Sequence, residues 1–185
     1  MSQPAFRDAS YEDLLAVPEN RVAEILNGRI HTHPRPASRH ARASSVLGGR
    51  IGSPFDFGAG GPGGWWIIDE PELHLGPQVM VPDLAGWRRE RLPEYPDAPW
   101  FELSPDWVCE VLSPSTAQTD RSIKMPLYAR HGVTHLWLVD PVLQTLEGYQ
   151  RHNGRWLLLA TLRQDDPVRL APFDAVEFPL SALWD

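Results

Sequence analysis

Cysteine is almost missing from this sequence: Cys109 is the only one in 185 residues. That excludes an internal disulfide and any zinc cluster built on cysteine, and makes the cytoplasm the expected compartment. No apolar run approaches the roughly 18 residues that span a bilayer. The first ten residues, Met1 to Ser10, lack the apolar stretch of a secretory signal. A surplus of positive charge is missing too. The formal net charge is -7, with 17 basic residues against 24 acidic ones, so a generalised electrostatic grip on nucleic acid is not expected. Such a partner would need a local basic surface. The glycine-rich run 58–64 lacks the Gly-Lys-Ser/Thr ending of a phosphate-binding loop. Ser113 and Ser115 sit in no nucleophile elbow, which argues against a serine hydrolase.

Lysine is the most telling scarcity. Of the 17 basic residues, only Lys124 is a lysine; the rest are arginines. In a background that uses arginine wherever a positive charge suffices, a lone lysine marks a place for a compact ammonium with rotatable donors rather than a planar fork. Chance retention on the surface is the competing reading.

Hydrophobic residues make up 42% of the chain, including eight Trp, four Tyr and six Phe, enough bulk for one core and a single domain over 1–185. Residues 10–17 have the marks of a short helix, with Ser10 as cap and Glu12 and Asp13 in the first turn. Arg21 to Leu26 and Arg29 to His33 flank Asn27-Gly28, a hairpin ended by Pro34 and Pro36. Residues 38–51 place small and apolar residues at helical spacing, with Ser38 as the expected cap. Residues 52–64 hold six glycines and two prolines, so a mobile loop without regular structure is expected. Strands are expected at 65–69, 79–87 and 107–112, with a polar, proline-rich connection over 88–105. The strand at 107–112 is nearly all apolar, the pattern of a strand covered on both faces, and Glu110 is its one carboxylate. A helix is expected from about Ser122 to His131, with Pro126 confined to its first turn and Gly132 as its stop. A strand at 135–140 follows, then a second hairpin around Asn153-Gly154, and a further strand and turn within 168–184. This order predicts an α/β protein, a mixed sheet with helices packed on it.

Three charged residues stand in unusual contexts. Asp83 follows Pro82 in an apolar stretch, Glu110 lies 27 residues later, and Lys124 lies 14 after that. A carboxylate in an apolar strand is costly unless it is paired or binds a metal. Two such carboxylates brought together repel unless a cation lies between them. Hard oxygen donors with few His or Cys partners point to Mg²⁺ or Mn²⁺ rather than zinc. The competing reading is structural: Glu110 and Lys124 as a buried ion pair, with Asp83 capping a turn.

A longer series carries a resemblance. Val81-Pro82-Asp83-Leu84-Ala85, then Pro105-Asp106-Trp107-Val108-Cys109-Glu110-Val111-Leu112-Ser113-Pro114-Ser115-Thr116, then Asp120, Lys124, Tyr128, Ala129, Gly132-Val133 and Leu136-Trp137-Leu138-Val139-Asp140-Pro141 resemble the Uma-two family of endonucleases. That family is also termed domain of unknown function 820 and falls in the PD-(D/E)xK restriction-endonuclease-like superfamily. The match runs from about Tyr11 to Trp184. The resemblance implies a core of about four mixed strands flanked by helices, with an N-terminal hairpin and a C-terminal β-hairpin added. It implies metal-dependent cleavage of phosphodiester bonds in DNA. Asp83 would be the superfamily aspartate, Glu110 the second acid, and the Val111 carbonyl a further metal ligand. The lysine usual two positions after the second acid is Leu112 here; Lys124, in the following helix, matches the family's substitute. Glu24, in the first hairpin, resembles an acid often present in the family.

Other features divide between function and structure. Residues 29–50 hold five Arg, three His and no acid, a candidate nucleic-acid face or simply a solvated one. His31 and His33 share a strand face and could bind a metal, though exposed histidines without a role are commoner. Arg88, Arg89 and Arg91 could contact phosphates or balance Glu90 and Glu94. Cys109 is out of phase with Glu110 and belongs to the core. Two functions stay open: a Mg²⁺- or Mn²⁺-dependent endonuclease acting on DNA, for which a homodimer would suit the cutting of two strands, and a catalytically inactive nuclease-fold module that binds nucleic acid or protein.

Overall fold

The structure, a computed structural model, describes residues 7–35 and 37–185. The reading of Met1 to Ser10 as free of a signal falls mostly outside the described residues, and that of Pro36 entirely so. Helix α1, Tyr11–Leu15, starts from a reciprocal cap: the Ser10 hydroxyl accepts the Asp13 N–H, and the Asp13 carboxylate accepts the Ser10 N–H. Strands β1 (Arg21–Leu26) and β2 (Arg29–Pro34) form the expected hairpin, with Asn27 and Gly28 at φ 51° and 76°. Helix α2 spans Ser38–Ile51. Its cap is Ala37, with no side-chain bond, so Ser38 is not the cap but the first helical residue.

Two expectations about the middle of the chain need correction. The stretch 52–64 is not all irregular: α2 passes into a π turn, Gly52–Asp56, that buries Phe55 against Phe173, their ring centroids 4.7 Å apart. Burial of one aromatic outweighs the glycines around it. After β3 (Trp65–Asp69) and β4 (Leu73–Leu75), the expected strand 79–87 is two strands, β5 (Gln78–Met80) and β6 (Leu84–Arg88), in different sheets. Pro82 explains the break, since it has no N–H for a ladder. The break also places Asp83 at the seam between the sheets.

Strand β7 (Trp107–Val111) is buried throughout, Cys109 included. The helical run after it begins earlier than Ser122. It comprises α3 (Ala117–Thr119), a π turn over Asp120–Lys124 and α4 (Met125–Arg130). The Ser113 carbonyl accepts the Ala117 N–H and starts the run five residues before the expected point. Pro126 does lie in the first turn of α4, and Gly132, at φ 89°, ends it. Strands β8 (His135–Asp140), β9 (Thr145–His152), β10 (Arg155–Arg163), β11 (Pro167–Val168) and β12 (Phe178–Pro179) complete the order, before a 3₁₀ turn at Leu180–Leu183.

The central sheet has six strands in the order β10-β9-β8-β7-β6-β3, and only β7 and β8 run parallel. Their crossover is the helical run 117–130, as a parallel pair requires. The fold is thus α/β with a mixed sheet, wider than four strands because the C-terminal hairpin β9-β10 extends it. The N-terminal hairpin does not stand alone either; it joins β5 and β4 in a second sheet, β2-β1-β5-β4. Alternation on β7 splits the core. Trp107, Cys109 and Val111 face α2, with Ala43, Leu47, Ile51 and Trp137. Val108 faces α4, with Leu127, Tyr128, Leu136 and Leu138. Among the described residues, no helix is long and apolar enough to cross a membrane.

Trp137 is fully buried, its indole N–H donating to the Ala171 carbonyl at 2.9 Å. Trp137→Ala should cost about 3–5 kcal/mol in chemical denaturation, while Leu157→Ala on the exposed face of β10 should stay within about 0.5 kcal/mol. A second prediction concerns acid. Arg121 grips Glu147 with two hydrogen bonds of 2.8 and 2.9 Å, and Tyr149 donates to the same carboxylate. Arg121 foremost holds the Glu147 carboxyl below its ordinary 4.5. The stabilisation is therefore present above that value and lost as pH falls through the lower folded value. Glu147→Gln should lower stability in the neutral region and leave the acid end, where the native carboxyl is already protonated, nearly unchanged, so that the acid limb of a stability–pH curve flattens.

Candidate active site

Lys124 ends the π turn in the crossover and points into the seam between the sheets. Its ammonium lies 2.8 Å from Glu110 Oε1 on β7, 2.9 Å from Glu24 Oε1 on β1 and 3.2 Å from the Val81 carbonyl. Three donors meet three acceptors, the match that a compact ammonium makes and a planar guanidinium does not. This accounts for the single lysine. Asp120, one turn earlier, is 3.9 Å away. Glu24 also accepts the Val81 N–H at 2.8 Å, tying the first hairpin to the break before β6. The Tyr128 hydroxyl donates to the Glu110 oxygen that Lys124 holds.

Asp83 approaches from the other strand. Leu84 pairs with Cys109 across β6 and β7, so the next step of the ladder brings Asp83 alongside Glu110. One Asp83 oxygen accepts the Val111 N–H at 2.7 Å; the other lies 3.2 Å from His40 Nε2 on α2.

The electrostatics follow from burial. Desolvation pushes the Glu110 carboxyl well up, with Lys124 opposing it, and pushes Asp120 up in the same way. Desolvation would lower Lys124, but Glu110 and Glu24 outweigh it and keep the ammonium charged. Burial likewise lowers His40, and Asp83 more than reverses that. Four carboxyl groups, Glu24, Asp83, Glu110 and Asp120, thus stand around one ammonium and one imidazole, and burial favours the neutral forms of Glu110 and Asp120. The side chains of Glu110 and Lys124 are 3% exposed, but Asp83 is 15% exposed and opens into a hollow of about 270 Å³ lined by His40, Ser44, Asp69 and Glu70. A smaller hollow, about 60 Å³, reaches Glu24 and Asp120 from the far side, past His31 and His33.

Of the four side chains singled out in the sequence, Glu24, Glu110 and Lys124 meet directly, whereas Asp83 stands on the strand beside Glu110 and binds the Val111 N–H and His40 instead. The arrangement joins both competing readings: Glu110 and Lys124 do form a buried ion pair, and Asp83 does bind a backbone N–H. His40, Asp120 and Tyr128 belong to the cluster without having been singled out as site residues. His40 left a trace, since it is the one polar side chain at the helical phase of Ala43, Leu47 and Ile51. The arginines after β6 do not reach the site. They follow β6 at the end away from Asp83, about 16 Å along the strand. Arg89 binds Asp56 at 2.7 Å and covers the Trp66 ring, and Arg91 binds Asp106 at 2.7 Å. Their partners are thus Asp56 and Asp106, not phosphates at the site, nor Glu90 and Glu94. Arg39, Arg42 and Arg50 are exposed on α2. Among the described residues, no three His, Cys, Asp or Glu side chains stand close enough to hold a metal by themselves, His31 and His33 included.

A mixed sheet with a helical crossover between its parallel strands, bearing two acids and a lysine at one seam, defines a protein of the nuclease-like α/β fold. The chain belongs to the Uma2 family, described as "Putative restriction endonuclease", which matches residues 8–181. It is similar in fold to the crystal structure of a "putative nuclease belonging to DUF820" from Anabaena variabilis ATCC 29413, with a TM-score of 0.76 and 24% identity over 94% of this chain and 96% of that one. No protein of curated function matches the chain.

Removing the ammonium isolates three buried carboxylates. Lys124→Met should cost about 3–5 kcal/mol of stability. Adding Glu110→Gln should recover part of that loss, and a double-mutant cycle in urea measures the coupling.

Proposed function

We propose that this chain is a divalent-metal-dependent endonuclease that hydrolyses phosphodiester bonds in DNA. Asp83, Glu110 and Lys124 would be its catalytic residues, with Glu24 in support. The observation that carries the reading is the placing of Asp83 and Glu110 on neighbouring strands, with Lys124 bonded to Glu110, at a seam beside a hollow that opens at Asp83. The donors suit Mg²⁺ or Mn²⁺: the carboxylates of Asp83 and Glu110 and the Val111 carbonyl would hold the ion, with water completing its shell.

A bound divalent ion lowers the pKa of a water ligand and offsets charge on a phosphate. The chain's own groups set the geometry. The Val111 N–H fixes one Asp83 oxygen, so the other has a defined direction. Lys124 is kept charged by its carboxylates; to orient a water or bond the phosphate it would have to give up one of its three present acceptors, and otherwise it would stabilise the developing negative charge through its field alone. Glu24 holds the ammonium in register independently of Glu110. Two copies of the chain, each with one such site, would serve the two strands of a duplex.

One observation favours the alternative of an inactive, nuclease-fold binding module: the 3% exposure of Glu110 and Lys124. Plasmid nicking decides. The native chain with Mg²⁺ or Mn²⁺ should nick DNA, and Asp83→Asn and Lys124→Arg should each lower the rate by about 10²-fold or more. DNA that is bound but left whole by the native chain supports the binding module, and nicking that survives Asp83→Asn overturns the assignment of the site.

A further inference from the structure

The turn between β8 and β9 carries two apolar side chains in the open: Val142 is 63% exposed and Leu143 is 70% exposed. Polar residues are the usual choice at such a place. The tip is held rigidly, because one Asp140 oxygen accepts both the Val142 and the Leu143 N–H at 2.9 Å. It forms a ridge, with a hollow on either side that Val142 helps to line. One hollow, of about 320 Å³, is basic: Arg39 and Arg42 of α2 line it with Pro141 and Trp184, and no acidic side chain does. Arg42 is tied to the Asp185 carbonyl at 2.6 and 2.9 Å, and Arg39 is exposed. The other, of about 170 Å³, is lined by Leu112, Pro114 and Ala117, and its one carboxylate, Asp140, is the one spent on the turn.

The ridge stands at the same end of the central sheet as the proposed site. The register that sets Asp83 beside Glu110 sets Glu110 beside Leu138, and Asp140 follows two residues on. With strands about 4.8 Å apart and about 3.3 Å per residue, the turn starts about 12 Å from Asp83. Helix α2 links the two places, since Ser44 lines the hollow at Asp83 and Arg39 and Arg42 line the one at Val142.

Resting on the nuclease reading above, we infer that the Val142–Leu143 tip is a wedge that enters duplex DNA at a base step near the cut, with Arg39 on a phosphate beside it. Apolar side chains pushed between base pairs unstack them and bend the duplex. At about 3.4 Å per base pair, the wedge stands three to four base pairs from the scissile phosphate. An acid-free basic lining beside the tip suits a polyanion better than a protein surface. The two hollows give the opened step room, the backbone on the arginine side and the displaced base edge on the Leu112 side.

The test reads binding, with CaCl₂ replacing Mg²⁺ so that the duplex is not consumed. The full-length chain is titrated into a short duplex in which 2-aminopurine, a base that brightens when unstacked, replaces several adenines. A fluorescein-labelled copy gives the affinity over a range of salt. The native chain should brighten the 2-aminopurine. Val142→Ser with Leu143→Ser should abolish the brightening and weaken binding about tenfold or more, with the salt dependence unchanged. Arg39→Gln should keep the brightening and make the slope of log K against log salt shallower by about 0.9. Leu157→Ser with Leu158→Ser, on the exposed edge strand β10, should change neither. Melting checks that each variant is folded; should the double tip variant not be, Leu143→Gln alone replaces it. Binding without brightening, brightening that survives in the tip variant, equal loss in the β10 variant, or no binding of DNA overturns the inference. A tip variant that binds DNA as the native chain does overturns it too and leaves the tip to a protein partner. An unchanged slope in Arg39→Gln overturns the phosphate contact. A native chain that nicks DNA without brightening sinks the wedge alone; one that brightens the duplex but leaves DNA whole sinks the nuclease reading alone.

Discussion

One buried ammonium fastens this molecule. Lys124 reaches from the crossover between the two parallel strands to an acid on the central sheet, an acid on the second sheet and a carbonyl in the segment that links them. Each carboxylate alone would be an expense in that interior, and so would the amine; together they satisfy one another, and removing any one strands the rest. The same contacts that join the sheets assemble the proposed chemistry.

Much of the architecture was legible in the sequence because its signals are local. Asn27-Gly28 and Asn153-Gly154 allow the left-handed turn conformations of tight hairpins, and the apolar run at 107–111 has the composition of a strand covered on both faces. Ser10 and Asp13 mark a helix start by spacing alone. What escaped was tertiary. Nothing local says that the strand pattern at 79–87 is cut between two sheets, although Pro82 was the clue. The helical run begins at Ala117 because the Ser113 carbonyl is free to accept its N–H, a fact of chain path and not of propensity. Phe55 imposes order on a glycine-rich stretch only because Phe173, 118 residues on, is there to receive it.

The site was legible for a different reason. A lone lysine in an arginine-rich chain, a carboxylate in an apolar strand and an aspartate after a proline are each anomalies of context, and family resemblance joined them into one set. His40 and Tyr128 lacked such contrast: a tyrosine is ordinary in a core, and a histidine beside arginines reads as surface. The arginines after β6 show the opposite error. Nearness in sequence to Asp83 suggested nearness in space, but a strand is extended and carries its far end well away.

The π turn over Asp120–Lys124 has a bearing on how this arrangement can vary. A π turn accommodates one more residue than the α-helical turn it replaces, and each residue of an α-helix advances the side-chain direction by about 100°. Deleting one position there would restore a regular helix and swing everything upstream around the axis relative to α4. Arg121 and Lys124 could not then both keep their partners, Glu147 and the paired glutamates, so the length of this short segment is as strictly prescribed as the identity of its lysine.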